Sequence, residues 1–159
     1  MKDVRLIDRA FLDEVARAAS ESPRRRKNYN CHGTDDDLSH RLLNAMEPDS
    51  YIQPHCHGDP AKDETIIALR GRFGVIFFDQ TGTVTGTAML EPGGPTIGIT
   101  IPYGVFHTIV SLAPAGVFFE SKAGPYRPLR ADERAGWSPA EQDPAAPAYL
   151  TRLLGLFDG

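Results

Sequence analysis

The sequence is poor in the features that most often give a function away. It holds only two cysteines, Cys31 and Cys56, in 159 residues, and neither sits in a C-x-x-C pair. That excludes a zinc ribbon and a thioredoxin-like redox motif, and in a reducing compartment two isolated thiols do not staple a fold. No apolar run approaches the roughly 18 residues that a membrane helix needs. The first residues, MKDVRLIDRAFLDEV, carry acids where a signal peptide would keep an unbroken apolar core, so a cytoplasmic protein without a membrane partner is expected. An excess of positive charge is also missing. The net charge is −4, whereas a nucleic-acid-binding domain leans the other way. The basic run Arg24-Arg25-Arg26-Lys27 is followed closely by Asp35-Asp36-Asp37. It reads as a solvated mixed-charge surface or, more sharply, as an anion site near the mouth of a pocket. Internal repeats and low-complexity tracts are absent too.

What is present suits one domain with its own core: 41% of residues are apolar and 24% are charged. Three stretches are distinguishable. In residues 1–40, Phe11, Leu12, Val15, Ala16 and Ala19 recur at helical spacing behind Asp8, a good N-cap, and an extended segment follows. Residues 41–124 change character. Short runs rich in Val, Ile, Phe and Thr are cut by turn signals such as Gln80-Thr81-Gly82 and Pro92-Gly93-Gly94. Many short strands with regular turns mean a sandwich or barrel, here including SYIQPH (50–55) as a strand. Residues 125–159 turn to Pro and Ala and are expected to wrap the barrel. Trp137 anchors this tail, and a short helix is marked by Tyr149, Leu150, Leu153, Leu154 and Phe157.

The chemistry gathers in SYIQPHCHGDPAKDETIIALRG, residues 50–71. Alternation along a strand sends His55 and His57 to one face and Cys56 to the other. Glu64 opens the next strand, and a hairpin would bring it level with the histidines. A further imidazole is offered by His107, after the tight turn Pro102-Tyr103-Gly104. Three imidazoles and one carboxylate suit a single divalent transition ion, and iron, manganese, zinc, nickel and cobalt all tolerate this set. Asn44, Lys62, Glu120, Lys122 and Tyr126 are candidates to line the cavity. Arg41, Lys62 and Lys122 would hold a carboxylate or phosphate, Asn44 would contact the ligand, and Glu120 or Tyr126 would serve as general base. His32 and His40 read as surface residues, and Cys31 as a small buried hydrophobe.

His55-x-His57, six residues, Glu64, six residues and Gly71 resemble the first cupin motif, and Pro102-x-Gly104-x-x-His107 resembles the second. The loop before Glu64 is longer than usual. Ser111 replaces a customary asparagine, and Asp49 and Thr96 stand where the motifs often open with glycine; none of these departures touches the four candidate ligands. RKNYN (26–30), RLLNAMEPDSYIQPH (41–55), KDETIIALRGRFGVIFFD (62–79), IPYGVFHT (101–108), FFESKAGPY (118–126) and GWSPAEQDPAAPAYL (136–150) are similar to the WbuC-type cupin metalloproteins. The resemblance implies a mainly β fold, a double-stranded β-helix with an N-terminal helix and a short C-terminal helix. It also implies a mononuclear site of His55, His57, Glu64 and His107, and an association with surface-polysaccharide biosynthesis. The expected protein is a metalloenzyme, an isomerase or dioxygenase, for a small sugar or keto-acid derivative. The alternatives are a metal-dependent binding module that breaks no bond and a metal-free epimerase of the RmlC-like fold. A homodimer is expected.

Overall fold

The computed structural model describes residues 4–158. Helix α1 (Arg9–Ser20) starts where Asp8 Oδ1 accepts a hydrogen bond from Phe11 N at 2.9 Å, which satisfies a backbone donor that the helix itself cannot. Eight strands follow: β1 (Arg26–Asn30), β2 (Ser39–Met46), β3 (Glu64–Arg70), β4 (Phe73–Phe78), β5 (Val84–Leu90), β6 (Gly98–Ile101), β7 (Phe106–Ser111) and β8 (Gly116–Ala123). Helix α2 (Ala146–Leu154) closes the chain, with one 3-10 turn at Ala131–Glu133 before it and another at Gly155–Phe157 after it. All pairings are antiparallel, in a five-stranded sheet of order β1-β2-β8-β3-β6 and a three-stranded sheet of order β5-β4-β7. This is the jelly roll of the cupin fold, a double-stranded β-helix with a helix at either end of the chain.

Strands β4 and β7 of the small sheet are buried on both faces, so they read as nearly continuous runs of buried residues. In FGVIFF of β4, Phe73 and Val75 point between the sheets, where they meet Met46, Ile66, Ile109 and Phe118. Ile76 and Phe78 point outward beneath α2, against Leu150 and Leu153. Helix α1 covers the outer face of the large sheet, packing Phe11, Leu12 and Val15 on Leu43, Ala45 and Val117. Each such large side chain contributes about 1.5–3 kcal/mol by leaving water. The tail reaches α2 by packing Trp137 at a tilt against Phe78, with ring centroids 4.9 Å apart. Among the described residues, no helix is long and apolar enough to cross a membrane.

The expected strand over SYIQPH does not form. Residues 51–58 run beside the sheets with a single bridged residue, His55. Pro54 has no N–H to give to a ladder, which limits pairing there.

Candidate functional site

The four motif residues meet at one end of the space between the sheets. His55 and His107 are directly opposed in an antiparallel bridge: His55 N donates to His107 O at 3.0 Å, and His107 N donates to His55 O at 2.9 Å. Residues so paired carry their side chains on one face, and the two rings lie 4.9 Å apart. Gly104, in the turn before β7, has φ +77°, a conformation that costs glycine no Cβ clash. Its N–H donates to His57 O at 2.7 Å and so ties the second motif to the first. The ring of His57 stands 5.4 Å from that of His55 and 6.2 Å from that of His107. Glu64 does not arrive by a hairpin. It opens β3, in the other sheet from His107, with Ile101 on one side of its backbone and Lys122 on the other.

The ring nitrogens are assigned by what they face. His55 Nδ1 lies 3.0 Å from Gln53 O, and His107 Nδ1 lies 2.8 Å from Val105 O. A carbonyl only accepts, so each Nδ1 carries its proton and donates, which turns Nε2 toward the cavity. His107 Nε2 is 2.5 Å from Glu64 Oε1. His57 Nε2 is 3.4 Å from Glu64 Oε2, yet this buried nitrogen has no hydrogen-bond partner among the described residues. Burial, with the nearby His107 as a second cause, pushes the His55 pKa down to about 3. Burial opposes charge on Glu64, but His107 first, then His57 and Lys122, hold its carboxyl well below the usual range. Burial likewise opposes a charged His107 and a charged Lys122. The carboxylate of Glu64 raises the first, and those of Glu120 and Glu64 raise the second.

The donor set fits a divalent ion in kind: three imidazoles and a hard oxygen, with two of the rings oriented by backbone carbonyls. It is drawn inward around Glu64. Among the described residues, no group of three or more His, Cys, Asp or Glu side chains stands at the mutual spacing of an ion's ligands.

A cleft of two lobes leads to these residues. The outer lobe, about 330 Å³, is lined by His55 and His57, and the inner lobe, about 220 Å³, by His55, Glu64 and His107. Cys56 is buried and lines neither lobe, unlike His55 and His57 on either side of it, although the strand expected to separate them does not form. Asn44, Glu120 and Lys122 reach the inner lobe. Asn44 Nδ2 donates to Glu120 Oε2 at 2.9 Å, and Lys122 Nζ lies 2.6 Å from Glu120 Oε1. Lys62 lines the outer lobe, but its Nζ donates to the carbonyls of Ala123 at 3.1 Å and Pro125 at 2.7 Å. Tyr126, 52% exposed, stands at the rim of the outer lobe rather than inside the barrel. Arg41 lines neither lobe. It is exposed and alternates with His40 and Leu42 along β2, so its side chain leaves the sheet on the other face.

Several functional neighbours were hidden in the sequence. Arg24 and Arg26 line both lobes, which favours the sharper reading of the basic run, although Glu141 pairs with each of them. His32 and His40, expected at the surface, are 7% and 3% exposed and stack with centroids 4.0 Å apart. Cys31, expected inside, is exposed. The tail supplies Glu133 and Arg134 beside the motif: Cys56 N donates to Glu133 O at 2.9 Å, Gly58 N donates to Glu133 Oε1 at 2.7 Å, and Arg134 bridges to His55.

The fold has clear relatives among solved structures. KdgF from Halomonas sp. is 18% identical over 67% of this chain and 85% of its own, with a TM-score of 0.51. TT1209 from Thermus thermophilus is 20% identical over 76% and 97%, with a TM-score of 0.52. The conserved protein of unknown function SPY1581 from Streptococcus pyogenes is 9% identical over 80% and 93%, with a TM-score of 0.53. Identities this low show the shared fold alone. No protein with a curated description matches the sequence. Residues 7–90, more than half of the chain, match a family of their own, and the chain therefore belongs to the family described as a domain of unknown function, DUF6016.

Proposed function

We propose that this cupin-fold protein is a metalloenzyme that holds one divalent transition ion on His55, His57, Glu64 and His107 and acts on a small polar molecule in the cleft. The observation that carries this reading is the pair of Nδ1–H donors. His55 and His107 each spend the outer nitrogen on a backbone carbonyl and turn the inner one to the same cavity as Glu64. A bound ion would supply Lewis-acid or redox chemistry. The polar groups of the inner lobe would do the rest. Asn44 and Lys122 hold the Glu120 carboxylate from two sides, so Glu120 is the group positioned to take a proton from a ligand beside the histidines. The resemblance to WbuC-type proteins supports a sugar or keto-acid derivative from surface-polysaccharide metabolism.

A binding module without chemistry is favoured by one feature, the apolar wall of Met46, Ile66, Ile109 and Phe118 in the inner lobe. The partly buried, mutually bonded polar trio of Asn44, Glu120 and Lys122 weighs against it. The test is elemental analysis of protein prepared without metal-affinity chromatography. About one ion per chain is expected, with His107→Ala losing about 10-fold or more in metal affinity, on the order of 1.4 kcal/mol at minimum. Wild-type protein that takes up none of iron, manganese, zinc, nickel or cobalt would sink the proposal. The direct His107–Glu64 contact would then stand as a metal-free acid–base pair.

A further inference from the structure

Six cations line the outer lobe of the cleft, against one carboxylate, in a chain whose net charge is −4. Four of the six are already engaged. Arg24 and Arg26 pair with Glu141, Lys62 is spent on two carbonyls, and Lys122 pairs with Glu120 and Glu64. The remaining two are Arg127 and Arg134. Among the described residues, neither has a carboxylate within ion-pairing distance. Among those residues, the only side-chain hydrogen bond of either is that from Arg127 Nη1 to Tyr126 O at 3.0 Å. Arg130, close by in the chain but outside the lobe, does have acid partners in Asp132 and Glu133.

Arg134 is also the one placed by backbone. It faces His55 across an antiparallel bridge, which sends both side chains to the same side, and both line the outer lobe. The bridge is fixed on either flank. Cys56 N donates to Glu133 O at 2.9 Å, and Ala135 N donates to Pro54 O at 3.0 Å. An uncommitted guanidinium held beside a histidine cluster, at the wall of a cleft, is a planar donor fork suited to carboxylate or phosphate oxygens.

We propose that Arg134, with Arg127 beside it, forms an anion-recognition subsite, and that the molecule bound at the histidines carries a carboxylate or a phosphate. This rests on reading the cleft as a small-molecule site. It names the ligand's charged group and adds a specificity residue from the tail.

The experiment is calorimetric titration of the full chain with malonate, with inorganic phosphate and with the uncharged diamide malonamide, each against wild type, Arg134→Gln, Arg134→Lys and the control Arg130→Gln. Metal content is measured on every sample. Wild type is expected to bind at least one of the two anions and not malonamide. Arg134→Gln should weaken that binding about 10-fold or more, Arg134→Lys should recover part of it, and Arg130→Gln should leave it unchanged. The favoured anion tells carboxylate from phosphate. Equal anion affinity in wild type and Arg134→Gln, or no binding of either anion by wild type, overturns the subsite. A wild type that binds anion through Arg134 but takes up no metal would instead refute the metal centre and leave the subsite standing.

Discussion

Glu133 works on the site without belonging to it. Its side chain is buried, and its two oxygens accept from Gly58 N at 2.7 Å and from Arg130 N at 2.8 Å. The carboxylate thus ties the residue after His57 to the tail. Those backbone donors, that from Arg130 first, hold its carboxyl below the usual range. Glu133→Ala strands two N–H groups and is expected to cost about 1–3 kcal/mol in urea denaturation at neutral pH. The pH dependence has a definite sign. A carboxyl with a lowered folded pKa adds stability that is complete above its unfolded value and is lost as pH falls through the folded one. The gap between wild type and Glu133→Ala should therefore be full near neutrality and narrow on acidification below the ordinary glutamate range. A gap that widens in acid would refute this role. Nothing local announced the tie to the motif: Glu133 is one acid among the charged residues of ADERAGW, and its partner there, Gly58, lies 75 positions away.

Strand β3 carries Glu64 at its first residue, so whatever shifts β3 shifts that carboxylate. Its neighbours β6 and β8 set its position. The approach of β6 is close. A Cβ added at Gly98 would meet Ile66 O at 2.6 Å, and that atom is backbone of the same sheet. Gly98→Ala is therefore expected to force β6 away from β3 and cost about 1–3 kcal/mol, read as a lowered denaturation midpoint. An unchanged midpoint would mean that β6 yields without cost. At this scale the sequence was informative. The apolar spacing of α1 and its Asp8 cap, the β-branched runs of the barrel and the apolar C-terminal helix all correspond to observed elements. The exception is SYIQPH, where strand-like composition met a proline and a neighbour that offered one bridge instead of a ladder.

The two ends of the chain act on the whole molecule as opposite covers, α1 on the large sheet and α2 on the small one. The tail does more, since residues 133–135 run along residues 54–56 and hold the first motif in place. A chain ending at residue 127 would expose Tyr51, Ile76, Phe78 and Val110 and lose those bridges. It is expected to lose its cooperative thermal transition and to bind a hydrophobic dye, in the manner of a compact state without fixed packing. A sharp transition in that truncated chain would show that the barrel stands alone.

Residue type and spacing were enough to announce a sandwich or barrel, and the resemblance of two short motifs pointed to the jelly roll and nominated His55, His57, Glu64 and His107, because β-branched runs, turn residues and motif spacing are local properties of a chain. They were not enough to sort the charges. Arg41, Lys62 and Arg134 look equivalent along the sequence. In the folded chain one leaves on the far face of β2, one is consumed by two carbonyls, and one lies beside His55 with no acid partner among the described residues. Which cation stays available depends on contacts between segments up to about eighty residues apart, here residues 54–58 with 130–135. No spacing rule encodes such contacts, because they exist only once hydrophobic burial has brought the tail back across the barrel.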